Sequence, residues 1–327
     1  MALDQDSLFA TNRTVQEDAR SVIVVGLPRS GSSFLSHVLS QIPDWYVFDD
    51  LYTYRAARLC NALKTMDDEK LRKILHFLGW QIRARLRFGL YAMPEMVEDE
   101  VEDMNEALFD CFSGQGASWL DLQEEWLARL AARRGCANWG YKMPGAFRHL
   151  DMLFEAHPNM KAVFLMREPH QVLSSYKHMP KDHEDGDPAQ YHPLVYAWYW
   201  RAAARAWLRA KERHPDRVML IRFHDLVRDP QASANEMAQF LDATIPENVT
   251  APEKPNSSFT GGSQKRPDLT ALEAWITKGI AGSAAKELGF SPKPNVARHH
   301  VSDYLDLGRV TWRFSRKQLQ KVLRPQE

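Results

Sequence analysis

Ser21-Val-Ile-Val-Val-Gly-Leu-Pro-Arg-Ser-Gly-Ser-Ser-Phe-Leu35 is the stretch on which the fold turns. Ser21 to Val25 is a short, mostly β-branched apolar run ending at Gly26, and it predicts a strand buried on both faces. Beyond it, Gly31 and Ser32 open the periodic run Phe34, Leu35, Val38, Leu39 and Ile42, which predicts a helix. The loop squeezed between strand end and helix start has the makings of an anion cradle. Glycines let the backbone approach a ligand, first-turn N–H groups point outward, and the helix dipole favours negative charge. An ordinary strand–turn–helix corner uses the same residue types, so the loop alone does not decide between the two.

Gly26 and Gly31 have the spacing of the glycines in the nucleoside-triphosphate loop Gly-x-x-x-x-Gly-Lys-[Ser/Thr], but position 32 is Ser. The cation has moved into the loop, to Arg29. With no Lys placed for a β- or γ-phosphate, and only the hydroxyls of Ser32 and Ser33 beside it, the loop suits a shorter anion than a triphosphate. A P-loop kinase or NTPase is therefore the nearer rival class. A nucleotide-binding protein without catalysis is the other.

The segment from Gly26 to Leu35 resembles the 5′-phosphosulfate loop of the sulfotransferases, enzymes that use 3′-phosphoadenosine 5′-phosphosulfate as sulfuryl donor. The family loop commonly reads Pro-Lys-Ser-Gly-Thr-Thr-Trp or Pro-Arg-Ser-Gly-Thr-Thr. Pro28, Arg29, Ser30, Gly31, Ser32, Ser33 and Phe34 fill those positions conservatively. A second resemblance lies further on. Met160 to Met166 is a strongly apolar strand, ended by Arg167 and followed by Pro169 in a position suited to a first helical turn. Ser175 stands eight residues after Arg167, two turns down that helix. This is similar to the family's 3′-phosphate motif, in which an Arg and a Ser at the same spacing converge on one phosphate.

Composition sets the bounds. The 327 residues are 44% hydrophobic, ample for a core, and the 42 basic and 42 acidic side chains give no support to a nucleic-acid coat, so any positive field must be local. Cys60, Cys111 and Cys136 are odd in number and lack CxxC spacing, so neither a disulfide framework nor a zinc site is expected. A reducing, cytoplasmic setting is the simpler expectation. No segment approaches the run of apolar residues a membrane span needs.

Taken in order, Trp45 to Phe48 predicts a short strand ending at Asp49-Asp50, at the sheet rim where the anion loop also lies. In sulfotransferases that act on carbohydrates, and in some bacterial ones, an acidic residue hereabouts is the general base. Asp50 is the preferred match and Asp49 the next, although either could cap a helix starting near Tyr52. Residues 51–135 read mostly helical, with Ser118 to Arg134 clearly amphipathic, and are expected to form a cap over the sheet. Arg83, Arg85 and Arg87 do not share one helical face and read as solvated. Ala137 to Met143 predicts a strand that delivers Lys142 just before Pro144. The resemblance makes that lysine one that faces the donor's bridging or sulfuryl oxygens; a surface lysine fits the same residues.

Residues 177–190, with His178, Lys181, Asp182, His183, Glu184 and Asp187, read as a polar loop, and their spacing matches no metal site. His192 to Glu212 predicts a long aromatic helix, Arg217 to Phe223 a strand, and Gln231 to Leu241 a helix. His224-Asp-Leu-Val-Arg-Asp-Pro230 resembles the family's Tyr-Glu-Asp-Leu…Asp-Pro stretch, with His224 in place of the usual acid. From Ile245 to Pro267 the chain is Pro-, Ser- and Gly-rich, flexible by composition, with Lys265 and Arg266 at its basic tip. The resemblance implies a clamp on the 3′-phosphate there. Helices are expected over roughly 268–286 and 309–323, packing on the body or forming a homodimer contact.

The expectation is thus an α/β, P-loop-like three-layer fold with a central parallel sheet of four or five strands. One sulfotransferase domain would occupy 1–327: a nucleotide-binding core over 20–245, including the helical cap 51–135, then a loop and C-terminal helices over 246–327. The resemblance implies sulfuryl transfer to a hydroxyl, less readily an amine, of a small molecule, lipid or carbohydrate, without a metal. Asp50, Lys142 and Arg29 would be its catalytic residues.

Overall fold

The computed structural model describes residues 9–10, 13–15, 19–48, 51–86, 93, 96–179, 188–252, 268–290 and 299–323. Five parallel strands form one sheet, in the order β2-β3-β1-β4-β5. They are β1 (Ser21–Gly26), β2 (Trp45–Phe48), β3 (Asn138–Lys142), β4 (Met160–Met166) and β5 (Val218–Arg222). β1 is central and buried along its whole length, as its β-branched run requires. Its residues alternate between two cores. Val22 and Val24 join Leu35, Val38 and Leu39 of α1 (Ser32–Leu39) in one cluster, whereas Ile23 and Val25 belong to the larger cluster on the opposite face.

Between β2 and β3 lie α2 (Thr53–Leu59), α3 (Asp68–Leu86), α4 (Glu98–Phe112) and α5 (Trp119–Arg133). The expected helical block is present, but it does more than cap the sheet. α5 packs directly against β2 and β3, with Trp126 meeting Phe48 edge to face at 5.1 Å between ring centroids. The Ser118 hydroxyl and Asp121 form a capping box at the start of α5, which fixes where it begins. Within α5 the fully buried Glu125 and Arg129 form an ion pair, and Glu125 also accepts hydrogen bonds from the backbone N–H groups of Thr14 and Val15. The N-terminal lead-in is strapped to the body there. Arg83 is not simply solvated: it pairs with Glu102 on α4.

β3 leads through a 3₁₀ turn, Pro144–Arg148, and α6 (Leu150–Ala156) to β4; α7 (Pro169–Lys177) and α8 (Pro193–Arg213) follow. After β5 come α9 (Phe223–Arg228) and α10 (Pro230–Phe240), then α11 (Ala271–Glu287) and α12 (Val301–Leu323). Phe223 and His224 thus lie in α9, because β5 ends at Arg222, one residue short of the expected strand end at Phe223. α12 starts eight residues earlier than expected, because Gly308 does not break it. Nothing approaches a Cβ built there, so the cost is the ~1 kcal/mol of a glycine in a helix interior. On the same helix Asp306 binds Lys177 at 2.7 Å, and Lys177 also meets Glu273 of α11 at 2.8 Å. These contacts tie both C-terminal helices to the end of α7. No helix among the described residues is long and apolar enough to cross a membrane.

Candidate functional site

The chain leaves β1 toward β2 and leaves the neighbouring β4 toward β5, so the connections diverge at the carboxyl ends of these two strands. That is where an open parallel sheet leaves a crevice for a ligand. The loop Leu27–Gly31 occupies this position. Gly26 is dictated by β4, since a Cβ there would fall 2.3 Å from the Leu165 carbonyl oxygen. The Ser30 N–H closes a turn onto the Leu27 carbonyl at 3.2 Å, with Arg29 at φ 69 inside it. Few residues other than glycine hold that left-handed conformation. Ser30 is fully buried, and its Oγ has no hydrogen-bond partner among the described residues.

Gly31, at φ 96, caps α1 without a side-chain hydrogen bond. The geometry of a helix start leaves its first-turn N–H groups without acceptors inside the helix. In that first turn Ser33 Oγ accepts a hydrogen bond from Lys142 Nζ at 2.8 Å. Lys142 is 3% exposed, which excludes the surface lysine. Register explains the meeting: Val24 of β1 lies opposite Lys142, so both strands deliver their ends to one rim. The Lys142 carbonyl in turn accepts from the N–H of Leu51, the residue after Asp50, at 3.2 Å. Asp49 and Asp50 themselves lie outside the described residues, as do Lys265 and Arg266.

The second predicted motif stands on the neighbouring strand. β4 and β5 pair Met166 with Arg222, so the next residues, Arg167 and Phe223, emerge side by side. The Arg167 guanidinium sits over the Phe223 ring, 4.5 Å from its centroid. Arg167 Nε donates to Gln171 Oε1 at 2.8 Å, and the Arg167 carbonyl accepts from Trp200 Nε1 at 2.8 Å. The same Phe223 ring closes on the loop Leu27–Gly31: a Cβ on Gly31 would lie 2.2 Å from it. One phenyl ring therefore touches the loop glycine and carries Arg167. Ser175 is buried on α7, on the second turn after Pro169.

Phe223, Gln171 and Trp200 belong to this arrangement and were not singled out from the sequence as site residues. For Phe223 the one available signal was its place as the last residue of the strand expected over Arg217 to Phe223. Of the two histidines noted beside the later family-like stretches, the His224 side chain is 79% exposed beside Asp225, while His178 Nε2 lies 3.4 Å from the Asp268 carbonyl. His149, after the 3₁₀ turn that follows Lys142, stacks on Tyr54 of α2 with centroids 5.0 Å apart. Burial, and then the neighbouring Arg148, hold its imidazole below the ordinary histidine range. Among the described residues no cluster of His, Cys, Asp and Glu could hold a metal ion.

Residues 21–247 match the model of the sulfotransferase family. No curated protein matches the chain. Among solved structures, the sulfotransferase domain from the Synechococcus PCC 7002 olefin synthase aligns at a TM-score of 0.50 and 16% identity. That alignment covers 83% of this chain and 98% of that one. The sulfotransferase domain from the curacin biosynthetic pathway gives 0.48 at 18% identity, covering 91% and 97%. Sulfotransferase STF9 from Mycobacterium avium gives 0.44 at 18% identity, covering 84% and 78%. At 16% identity the likeness to the Synechococcus domain is one of fold.

Proposed function

Because the chain belongs to the sulfotransferase family, we propose that it transfers a sulfuryl group from 3′-phosphoadenosine 5′-phosphosulfate to a hydroxyl of a small-molecule, lipid or carbohydrate acceptor. An amine acceptor is the less favoured variant. The observation that carries this reading is the shared Phe223 contact. Two anion grips, one on the loop Pro28 to Phe34 and one on Arg167, stand a single aromatic ring apart. That separation suits a nucleotide with a charged group at each end, and no lysine stands in the loop for a triphosphate.

When bound, the donor supplies an activated sulfur whose bond to a phosphate oxygen breaks as the acceptor oxygen attacks in line. The chain's own residues do the rest. First-turn amides of α1, with Arg29 and the hydroxyls of Ser30, Ser32 and Ser33, hold the 5′ end, while Arg167 and Ser175 hold the 3′-phosphate with help from Lys265 and Arg266. Lys142, fixed by Ser33 at the loop's edge, stabilises charge growing on the leaving phosphate. Asp50 takes the acceptor proton, a contribution typically of 10²- to 10⁴-fold. Its sequence neighbour Leu51 is hydrogen-bonded to Lys142, which supports that assignment.

The test is incubation with ³⁵S-labelled donor and a panel of glycan, sterol, phenol and lipid hydroxyls, beside calorimetry with adenosine 3′,5′-bisphosphate. Label transfer to one acceptor class, lost in Asp50→Asn while nucleotide binding persists, is the expected result. Binding of ATP with magnesium in preference to the bisphosphate would restore the kinase reading. Tight bisphosphate binding with no acceptor turned over would leave a binding protein.

A further inference from the structure

α12 carries two apolar stripes. Toward the body it presents Leu307, Val310 and Phe314, with Val310 1% exposed and Phe314 packed on His192 at 5.3 Å between centroids. At 3.6 residues per turn, Val301, Leu305, Trp312, Leu319 and Leu323 fall within an arc of about 40° on the opposite side. That second stripe is bare: Val301 is 78%, Trp312 70% and Leu323 71% exposed. Trp275 of α11, also exposed, extends it through the His299 and Tyr304 rings. Soluble proteins rarely leave so long a contiguous apolar face uncovered.

Charge decides what covers it. The exposed side chains of Arg309, Arg313 and Arg316 fall along one border of the stripe, about 60° to 120° round the helix. The sequence has no Asp or Glu between Asp306 and Glu327, although the whole chain is balanced. A second copy laid on this face would bring its own arginines. The two carboxylates on the same helix are already engaged, Asp306 with Lys177 and Asp303 with the His300 N–H that it caps.

We propose that this face of α12 is a membrane-surface helix, lying in the headgroup region of an anionic bilayer with Trp312 and the leucines inserted and the arginines on lipid phosphates. The occupant is a lipid surface. Binding is peripheral, and its strength falls as salt rises.

The experiment is co-sedimentation of the full chain with vesicles of phosphatidylcholine alone, or mixed with equal parts of phosphatidylglycerol, at low and high salt. About ten-fold or greater enrichment on the anionic vesicles is expected, reversed by salt. It should be abolished by the double variant Trp312→Glu, Leu319→Glu and weakened by Arg313→Gln, Arg316→Gln. Circular dichroism and bisphosphate binding, unchanged in these surface variants, show that the fold is intact. The proposal is overturned if the protein stays in the supernatant with anionic vesicles, or if the double variant sediments as well as the parent. It is also overturned if light scattering finds a dimer that the double variant splits, since a second copy then covers the face.

Discussion

Lys142 at the end of β3 and Ser33 in the first turn of α1 are joined by a 2.8 Å hydrogen bond. A cation is thereby held beside the loop Leu27–Gly31 by the helix that follows the loop. The bond fixes the ammonium, which a free four-carbon stem would leave to wander.

Replacing Lys142 by Met keeps the bulk and removes the charge. Turnover should fall on the order of 10²-fold or more, the usual loss when one donor to a developing negative charge is removed. The thermal melt should remain cooperative, since Met keeps the packing of the buried stem. Steady-state kinetics and a melting curve on one preparation check both.

Arg167→Ala should weaken adenosine 3′,5′-bisphosphate binding about 10- to 100-fold, the range for a charged hydrogen bond. Ser175→Ala should weaken it less. Adenosine 5′-phosphate, which lacks the 3′ group, should bind parent and variants alike. Calorimetry with the two nucleotides makes the comparison, and equal losses on both would move Arg167 away from the 3′ end.

Gly31→Ala puts a Cβ into the Phe223 ring and strains a positive φ. It should destabilise the fold by about 1 to 3 kcal/mol in urea unfolding. Combining it with Phe223→Ala should cost less than the sum of the two single changes, because the clash disappears with the ring. Simple additivity would mean that the loop and Phe223 do not press on each other.

Burial holds His37, His149 and His192 below the ordinary histidine range. In the unfolded chain they take up protons near pH 6.5, whereas the folded chain resists until lower pH. As pH falls through 6.5 the unfolded state binds more protons, so stability drops. The urea midpoint should therefore be lower at pH 5.5 than at 7.5. Substituting Gln at His192, whose Nε2 lies 3.1 Å from Thr311 Oγ1, should flatten the slope.

Much of this was legible in the sequence because local pattern and global topology agree. Val22 to Val25 and Ala162 to Met166 are continuous apolar runs, short and rich in β-branched or aromatic residues, which suits strands buried on both faces. The glycine pair told where backbone comes close, and both Gly26 and Gly31 proved to be contact points. What stayed hidden was long-range. Nothing in the local pattern tells that Phe223 links Gly31 to Arg167, because the link depends on β5 lying next to β4. Lys142 could not be assigned to the interior from a five-residue aromatic segment; its burial follows from pairing with Val24. The last helix was expected only from residue 309, whereas the Asp306 contact with Lys177 and the packing of Val310 carry it back to Val301.

Lys177 sits two residues beyond Ser175 and grips both Glu273 and Asp306. α12 is thus an anchor for the end of α7, the helix that carries Ser175, rather than an appendage. Removing the chain from Val301 onward would strip one of two counter-charges from that ammonium, and the shortened protein is expected to bind adenosine 3′,5′-bisphosphate more weakly although every residue proposed to contact it is kept.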